Sequence, residues 1–176
     1  MKKLSLIIAV LITAHSFAQT KQTVTKSAVN YEIKNLGIKT TGKLGGLQAD
    51  IIFDKANLAT STIEATIDVN TIDSDNAMRD NHLKAEDYFD VEHYPKIVMK
   101  STAFKHRGGN NFVGNFNMTI KGKTKPVEVP FTYIESANAG LFKGSFKINR
   151  HDFGVGGKSM VLADEATVDL VVETSK

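Results

Sequence analysis

The chain has 176 residues, no cysteine and no tryptophan, and its 22 basic and 19 acidic residues give a formal net charge of +3 at pH 7. The lack of cysteine excludes disulfides and thiolate metal sites, and so small a charge gives no support to a nucleic-acid partner. Without the first 18 residues, 158 residues remain, with 20 basic residues against 19 acidic ones. That length is sufficient for one domain with a substantial hydrophobic core.

The first residues have the features of a secretory signal peptide. A basic start precedes an apolar run, residues 4–14, and a small-residue cleavage site ends at Ala18. The run of eleven residues is too short to cross a bilayer comfortably. We therefore expect residues 1–18 to be a cleaved signal peptide. Residues 19–176 are expected to be one exported domain, periplasmic or secreted, that does not span the membrane.

Alternating apolar residues predict β-strands along the first part of that domain. Residues 29–33 alternate, and Gly45–Gly46 is a hairpin signal before the next strand, residues 47–53. The strictest alternation runs over residues 62–69. If nine strands form in all, the pieces around Gly37 are one bent strand, or one strand lies outside the main sheet.

One stretch, residues 74–95, does not alternate. Its apolar residues recur at spacings of four, three and four, which places on one helix face Met78, His82, Ala85 and Phe89. Ser74 or Asp75 is expected to cap the helix, and Pro95 prevents its continuation. We predict a helical segment at about residues 75–90 that caps or flanks the sheet.

Five further alternating strands follow residue 95. Turns at residues 106–110, 121–123 and 137–140 join most of them directly, so neighbouring strands run antiparallel. Each strand has one apolar face and no second helical layer covers it, which implies that the sheet closes on itself. The predicted fold is an all-β antiparallel barrel of about eight strands, a size that can hold one small ligand.

The inward faces of these strands combine large apolar side chains with small residues such as Gly114, Gly144, Ala65 and Ser101. This mixture fits a barrel that encloses a ligand, and it equally fits a narrow barrel filled by its own side chains. The residues predicted to line the interior and bind a ligand are Tyr31, Ile33, Phe53, Ile63, Ile67, Met99, Phe112, Phe116, Met118, Phe131, Phe142, Phe146 and Ile148.

The sequence contains no specific signature of catalysis or metal binding. Residues 157–159 lack the glycine that a phosphate-binding loop requires five positions earlier. Residues 73–92 contain seven carboxylates but not the glycine and closing glutamate of a calcium loop, which favours a solvated helix over a weak divalent site. His82 and His93 lie eleven positions apart and match no zinc pattern. We therefore expect no metal site, no cofactor and no enzymatic activity.

Several blocks of the sequence resemble the YceI-like proteins. In chain order these are Arg79-Asp80-x-His82-Leu83-Lys84, Asp87-Tyr88-Phe89-Asp90-Val91, Tyr94-Pro95-Lys96-Ile97, Gly114-x-Phe116-x-Met118-Thr119-Ile120-Lys121-Gly122 and Ile148-Asn149-Arg150-x-Asp152-Phe153-Gly154. The resemblance covers essentially all of residues 19–176. Two positions depart from the family pattern: an aromatic residue common near the first strand is replaced by Thr23 and Val24, and a histidine frequent after it by Asn35.

This resemblance implies an exported, lipocalin-like barrel that holds a polyisoprenoid or isoprenoid-quinone-type lipid non-covalently, for transport or sequestration. A polar headgroup would lie at the mouth of the barrel, where it needs hydrogen-bond partners. The residues expected at the mouth are Arg79, His82, Arg150 and Phe153. Arg150 is also expected to be partly buried and paired with Asp80 or Asp152.

Two other hypotheses remain open at the level of sequence. In one, the protein is an accessory or enzyme in quinone-linked redox chemistry, which would require a redox group that the sequence does not supply. In the other, it is a stress or structural protein whose barrel is filled and whose outer face binds a partner. The sequence also leaves a homodimer open.

Overall fold

A computed structural model of the protein describes residues 21–176, so the predicted signal peptide lies outside the described residues. The described part contains one α-helix, α1 (Ala77–Lys84), and three short 3-10 turns, Leu58–Thr60, Val69–Thr71 and Arg150–Phe153. Its nine β-strands are β1 (Lys21–Asn35), β2 (Ile38–Leu44), β3 (Gln48–Ile52), β4 (Thr62–Asp68), β5 (Lys96–His106), β6 (Asn111–Ile120), β7 (Lys123–Glu135), β8 (Ala139–Asn149) and β9 (Leu162–Ser175).

The strands form a closed barrel. Each strand from β3 to β9 pairs antiparallel with the next, and β9 pairs along most of β1, which leaves the sheet without a free edge there. Both β2 and β3 pair with the other edge of β1 in a single register, Lys21 opposite Ile52 and Val29 opposite Leu44. They act as one bent strand, so nine strands build a wall of eight. The predicted eight-stranded antiparallel barrel is confirmed.

The hairpin predicted at Gly45–Gly46 is wrong, and the bent strand does not lie around Gly37. The turn lies at Leu36–Gly37, both with positive φ, and joins β1 to β2. Gly45–Gly46 is the bend inside the combined β2–β3 strand, not a hairpin. A glycine pair permits either a turn or a bend, and here the long-range pairing with β1 decides between them.

The helix is shorter than predicted and begins at a different cap. It ends at Lys84 because Ala85 adopts an extended conformation. Asn76, rather than Ser74 or Asp75, caps the start: its side chain accepts a hydrogen bond from the backbone N–H of Arg79 at 3.0 Å.

The predicted helix face turns inward only in part, since His82 and Phe89 line the barrel interior but Met78 does not. Met78 is 84% exposed, whereas Arg79 and Leu83 face the barrel interior. Ala85 and Phe89 follow the end of α1, so a helical spacing no longer relates them to Met78.

One end of the barrel is filled by aromatic rings around Phe53. Five rings contact the Phe53 ring edge-to-face, with centroid–centroid distances of 4.9 to 5.6 Å. Aromatic pairs prefer this arrangement. These rings belong to Phe104, Phe112, Phe131, Tyr133 and Phe142. We call Phe53 and these five rings the aromatic plug.

A buried polar network ties the plug to the ends of two strands. The Gln22 side chain, fully buried, donates to the Tyr133 hydroxyl at 3.1 Å and to the Phe53 carbonyl at 3.3 Å. The Thr174 hydroxyl donates to Gln22 Oε1 at 2.7 Å. Because each of these polar groups has a partner, the hydrogen bonds offset the cost of burying them, and the network joins β1, β7 and β9.

Replacing Phe53 by alanine should strongly destabilise the barrel. The change leaves a cavity at the centre of the plug, which costs about 3–5 kcal/mol in the free energy of unfolding. Urea denaturation of the purified protein measures this loss. Ile134→Ala, which truncates a half-exposed side chain on β7, is the control and should cost clearly less. Equal losses in both variants would contradict a central role for Phe53.

Candidate functional site: the barrel cavity

The barrel is hollow between the aromatic plug and the opposite end, which we call the mouth. The cavity has a volume of about 430 Å³, within the range of about 300–1,000 Å³ usual for small-ligand sites. Its walls are almost entirely apolar. Of the residues predicted to line the interior, those that line the cavity are Tyr31, Ile33, Ile63, Ile67, Met99, Phe116, Met118, Phe131, Phe142, Phe146 and Ile148.

Two of the predicted lining residues do not reach the cavity. Phe53 and Phe112 are inward and buried, but they lie within the aromatic plug. Alternation along a strand identifies which face a residue occupies. It does not reveal how deep along the barrel axis that residue sits, so these two positions were assigned to the cavity wrongly.

Small residues on one wall give the cavity its width. Ala49 lies opposite Ala65, Ala65 opposite Met99, and Met99 opposite Met118, in one row across four strands. All four residues line the cavity. The two alanines leave space where larger side chains would meet the opposite wall.

Several lining residues were not found from the sequence. They come from irregular segments, where no alternation marks the inward side. These residues are Leu83, Tyr88 and Phe89 from the helical region, Val155, Ser159 and Val161 from the loop between β8 and β9, and Leu162 where that loop enters β9.

Residues 74–95, the crossing segment, pass over the mouth. At its start the backbone of Asp73 pairs with Lys43 on β2, through N–H···O bonds of 2.8 and 3.0 Å. Further along, the Asp87 carbonyl accepts from the backbone N–H of Gly156 at 2.9 Å, and the Glu86 carbonyl accepts from Lys121 Nζ at 2.6 Å. The crossing segment is therefore hydrogen-bonded to the barrel at two places, and it narrows the opening of the cavity.

Arg79 is held beside the cavity by Ser74. Its Nε donates to the Ser74 hydroxyl at 2.8 Å, and its Nη2 donates to the Ser74 carbonyl. The same hydroxyl donates to Asp80 Oδ1, which also accepts from the Ser74 N–H at 2.9 Å. A guanidinium has five N–H groups, so these contacts orient Arg79 and leave donors for another acceptor.

Tyr31 lies next to this cluster, and its ring covers Gly42 on β2. A Cβ at position 42 would fall 2.4 Å from the Tyr31 ring, so only glycine fits there. The Tyr31 hydroxyl is buried and finds no aligned hydrogen-bond partner among residues 21–176. Burial raises the pKa of Tyr31, and the nearby Arg79 guanidinium partly opposes that rise. The neutral phenol therefore has a hydrogen to donate.

His82 lines the mouth as predicted but remains largely exposed. Its Nε2 lies 3.1 Å from Asp87 Oδ2, and its ring meets Tyr88 edge-on. His93, the other histidine considered as a metal ligand, instead contacts Asp90 at 2.7 Å, and this carboxylate raises the pKa of His93. Within residues 21–176, no three His, Asp or Glu side chains form a group that could hold a metal ion.

Arg150 is the most buried charged side chain at the mouth, with 4% of its surface exposed. All its N–H groups have partners, and four of the five acceptors are backbone carbonyls. These acceptors are Ala163 O at 2.9 Å, Val155 O at 3.0 Å, Gly157 O at 2.8 Å, Leu162 O at 3.5 Å and Asp164 Oδ1 at 3.5 Å.

This arrangement corrects the predicted role of Arg150. The residue is buried, as expected, but its carboxylate partner is Asp164, not Asp80 or Asp152. Every N–H group of Arg150 already has a partner, so none is left over for a headgroup. Arg150 fixes the loop that brings Phe153 and Val155 to the cavity. Arg79, by contrast, retains N–H donors without a partner among residues 21–176.

None of the helices within residues 21–176 combines the length and apolar character needed to cross a bilayer.

Comparisons with known proteins agree on one family. A family model described as the YceI-like domain matches residues 19–174. A UPF0312 protein of Shewanella putrefaciens is 27% identical over 155 residues, which cover 84% of this chain and 81% of that protein.

Two solved structures are also similar. The crystal structure of Burkholderia cenocepacia BcnA has a TM-score of 0.80 and 30% identity, over 84% of this chain and 95% of that chain. A polyisoprenoid binding domain from Saccharophagus degradans has the same fold, with a TM-score of 0.67 and 14% identity, over 88% of this chain and 97% of that chain.

Arg150→Lys should destabilise the protein although it keeps the charge. Lysine cannot reproduce the planar array of five donors, and each buried carbonyl left without a partner costs about 1–3 kcal/mol. We expect a loss of about 3 kcal/mol or more in the free energy of unfolding, measured by urea denaturation. Asp164→Asn, at a largely exposed carboxylate, should cost less than about 1 kcal/mol. Full stability of the lysine variant would disprove the role assigned to the carbonyls.

Proposed function

The chain belongs to the YceI-like family, and from that premise we propose that it binds a long apolar lipid inside the barrel. The lipid class we propose is a polyisoprenoid, including isoprenoid quinones, bound non-covalently and without chemical conversion. The protein would carry or sequester this lipid after export, with residues 1–18 removed as a signal peptide.

The observation that carries this proposal is the apolar cavity closed by the aromatic plug. Each CH₂ group that leaves water for such a cavity contributes about 0.8 kcal/mol. A few isoprene units therefore bind tightly without specific polar contacts. The open volume of about 430 Å³ also argues against a barrel filled by its own side chains.

The polyisoprenoid binding domain of Saccharophagus degradans, which has the same fold, supports this choice of ligand class. The cavity wall agrees with it, since methyl-branched chains pack well against the aliphatic and aromatic side chains that line it.

Arg79 and Tyr31 are the residues we propose for a polar headgroup. Arg79 has unused N–H donors at the mouth, and the Tyr31 hydroxyl beside it lacks an aligned partner among the described residues. Both groups donate hydrogen bonds, so a carbonyl oxygen, as in a quinone ring, is a suitable acceptor. Asn35, at the end of β1, also lines the cavity and adds an amide nearer the opening.

Organic extraction of the purified protein followed by mass spectrometry tests the proposal directly. We expect an isoprenoid lipid in near-stoichiometric amount. Protein that contains no extractable lipid and does not take up ubiquinone or a polyprenol in solution would disprove the proposed function.

Filling the cavity should reduce lipid binding with little loss of stability. Ala65→Phe places a ring in open space on the cavity wall. Excluding two or three CH₂ groups at about 0.8 kcal/mol each weakens lipid binding by roughly tenfold or more. Extracted lipid and the thermal midpoint are measured together. Ala103→Phe, the same change at an exposed position on β5, should alter neither, and unchanged lipid content in Ala65→Phe would contradict binding in the cavity.

Arg79→Met and Tyr31→Phe should weaken binding of a lipid with a carbonyl headgroup more than binding of a plain hydrocarbon. Each change removes a donor but keeps most of the apolar surface, and one lost hydrogen bond costs about 0.5–1.5 kcal/mol. Competition between ubiquinone and squalene measures the preference, which we expect to fall several-fold.

The matched control for the headgroup test is Lys143→Met, which removes an exposed cation on the outer side of β8. Its preference for ubiquinone over squalene should equal that of the unaltered protein. If Arg79→Met and Tyr31→Phe leave the preference unchanged as well, the headgroup does not contact these residues.

A further inference from the structure

The mouth has an exposed apolar patch that the cavity does not require. Seven large hydrophobic residues within residues 21–176 are exposed, and four of them lie on two adjacent tips beside the mouth. Leu36 and Ile38, 72% and 70% exposed, flank the β1–β2 turn, and Met160 and Val161 lie on the loop before β9. Met160 is fully exposed. We call these four residues the rim patch.

The backbone of the two tips is hydrogen-bonded, so their side chains project from a fixed base. The Leu36 N–H donates to the Val161 carbonyl at 2.8 Å and joins one tip to the other. The Ser159 hydroxyl accepts from the N–H groups of Val161 and Leu162, at 3.2 and 2.9 Å. Satisfied backbone groups matter because an unpaired amide would oppose transfer of these tips into an apolar phase.

The rim patch is continuous with the cavity wall. Val161 belongs to both, and Asn35, Ser159 and Leu162, which adjoin the patch residues in sequence, also line the cavity. A surface in contact with the rim patch therefore also faces the opening through which a ligand must pass.

Basic side chains flank the rim patch. Lys34 and Lys158 are exposed and form no ion pair within residues 21–176. Lys39, opposite Lys34 on the hairpin, pairs with Glu32 at 3.0 Å. Exposed apolar residues next to unpaired lysines match the two parts of an anionic bilayer surface, its acyl boundary and its headgroups.

From this combination we propose that the rim patch docks the mouth of the barrel onto a bilayer that contains anionic phospholipid. A protein partner would need a separate pocket for each of the four projecting side chains. A bilayer takes up each side chain independently and needs no complementary shape. Docking in this orientation lets a lipid pass between bilayer and cavity without crossing water. The inference goes beyond the proposed function, because it concerns where the protein exchanges its ligand.

Co-sedimentation with vesicles tests the proposal, using three parts phosphatidylcholine to one part phosphatidylglycerol. The unaltered protein should sediment with these vesicles and bind less to pure phosphatidylcholine. The variant Leu36→Asn/Met160→Gln should lose vesicle affinity by about tenfold or more, since it removes two of the four projecting apolar groups. Asparagine suits the positive φ at position 36, so folding should be retained. Lys34→Glu/Lys158→Glu should abolish the preference for phosphatidylglycerol.

The matched control is Ile134→Asn, which removes a half-exposed apolar residue from β7, close to the end of the barrel that holds the plug. It should bind vesicles like the unaltered protein. All variants have the same N-terminal sequence. A difference in vesicle binding between variants is therefore due to the substituted residues. Met160→Gln alone, at a fully exposed position, provides a change that cannot disturb packing and should give part of the loss.

Three results would overturn the proposal: no vesicle binding by the unaltered protein, equal binding by the double variant, or an equal loss in Ile134→Asn. A dimer in solution that the double variant dissociates, without vesicle binding, would assign the rim patch to a second copy of the chain instead. Extracted lipid is measured in the same samples. Protein that docks but neither holds lipid nor takes it up from solution supports the rim patch and disproves the cavity ligand. Protein that holds lipid but does not bind vesicles supports the cavity ligand and disproves the rim patch.

Discussion

The mouth of this barrel depends on one buried guanidinium. Burying an arginine costs several kcal/mol unless its charge and its N–H groups are compensated, and here four carbonyls and one carboxylate provide that compensation. The same bonds satisfy the carbonyls of Val155 and Gly157 in the loop after β8 and those of Leu162 and Ala163 at the start of β9. Arg150 thus gives the loop a defined shape. Gly156 has a positive φ, and a Cβ at this position would fall 3.0 Å from Arg150 Nη1 and 3.0 Å from the Tyr88 ring, so no side chain fits there.

The two ends of the barrel divide stability and binding between them. At one end, the aromatic rings of the plug pack against one another, and the hydrogen bonds around Gln22 join the strands there. The other end contains a cavity instead. The residues that line a cavity make fewer van der Waals contacts, which lowers the free energy of unfolding. A fold of this length tolerates an apolar void because the closed sheet and the plug hold the wall in place.

The strands and the barrel could be predicted because alternation is a local signal. The face shared by Phe112, Phe116 and Met118 was predicted correctly, and β6 has that face inward. Non-local features could not be predicted. The β2–β3 bend depends on a register set by β1. The partners of Arg150 lie in the loop after β8 and at the start of β9, where no periodicity indicates them. The depth of Phe53 along the barrel axis is likewise invisible in a pattern that reports only inside and outside.

The aromatic plug has a further consequence, which concerns the length of a bound chain. Since the plug closes one end with rigid rings, a ligand that enters tail first must stop at Phe131 and Phe142, where the cavity meets the plug. The distance from these rings to Arg79 then sets the chain length that fits between them. A chain shorter than that distance leaves its polar end below the guanidinium, and a longer one must fold back or protrude into the solvent. For the lipid proposed above, binding is therefore expected to depend on chain length as well as on polarity.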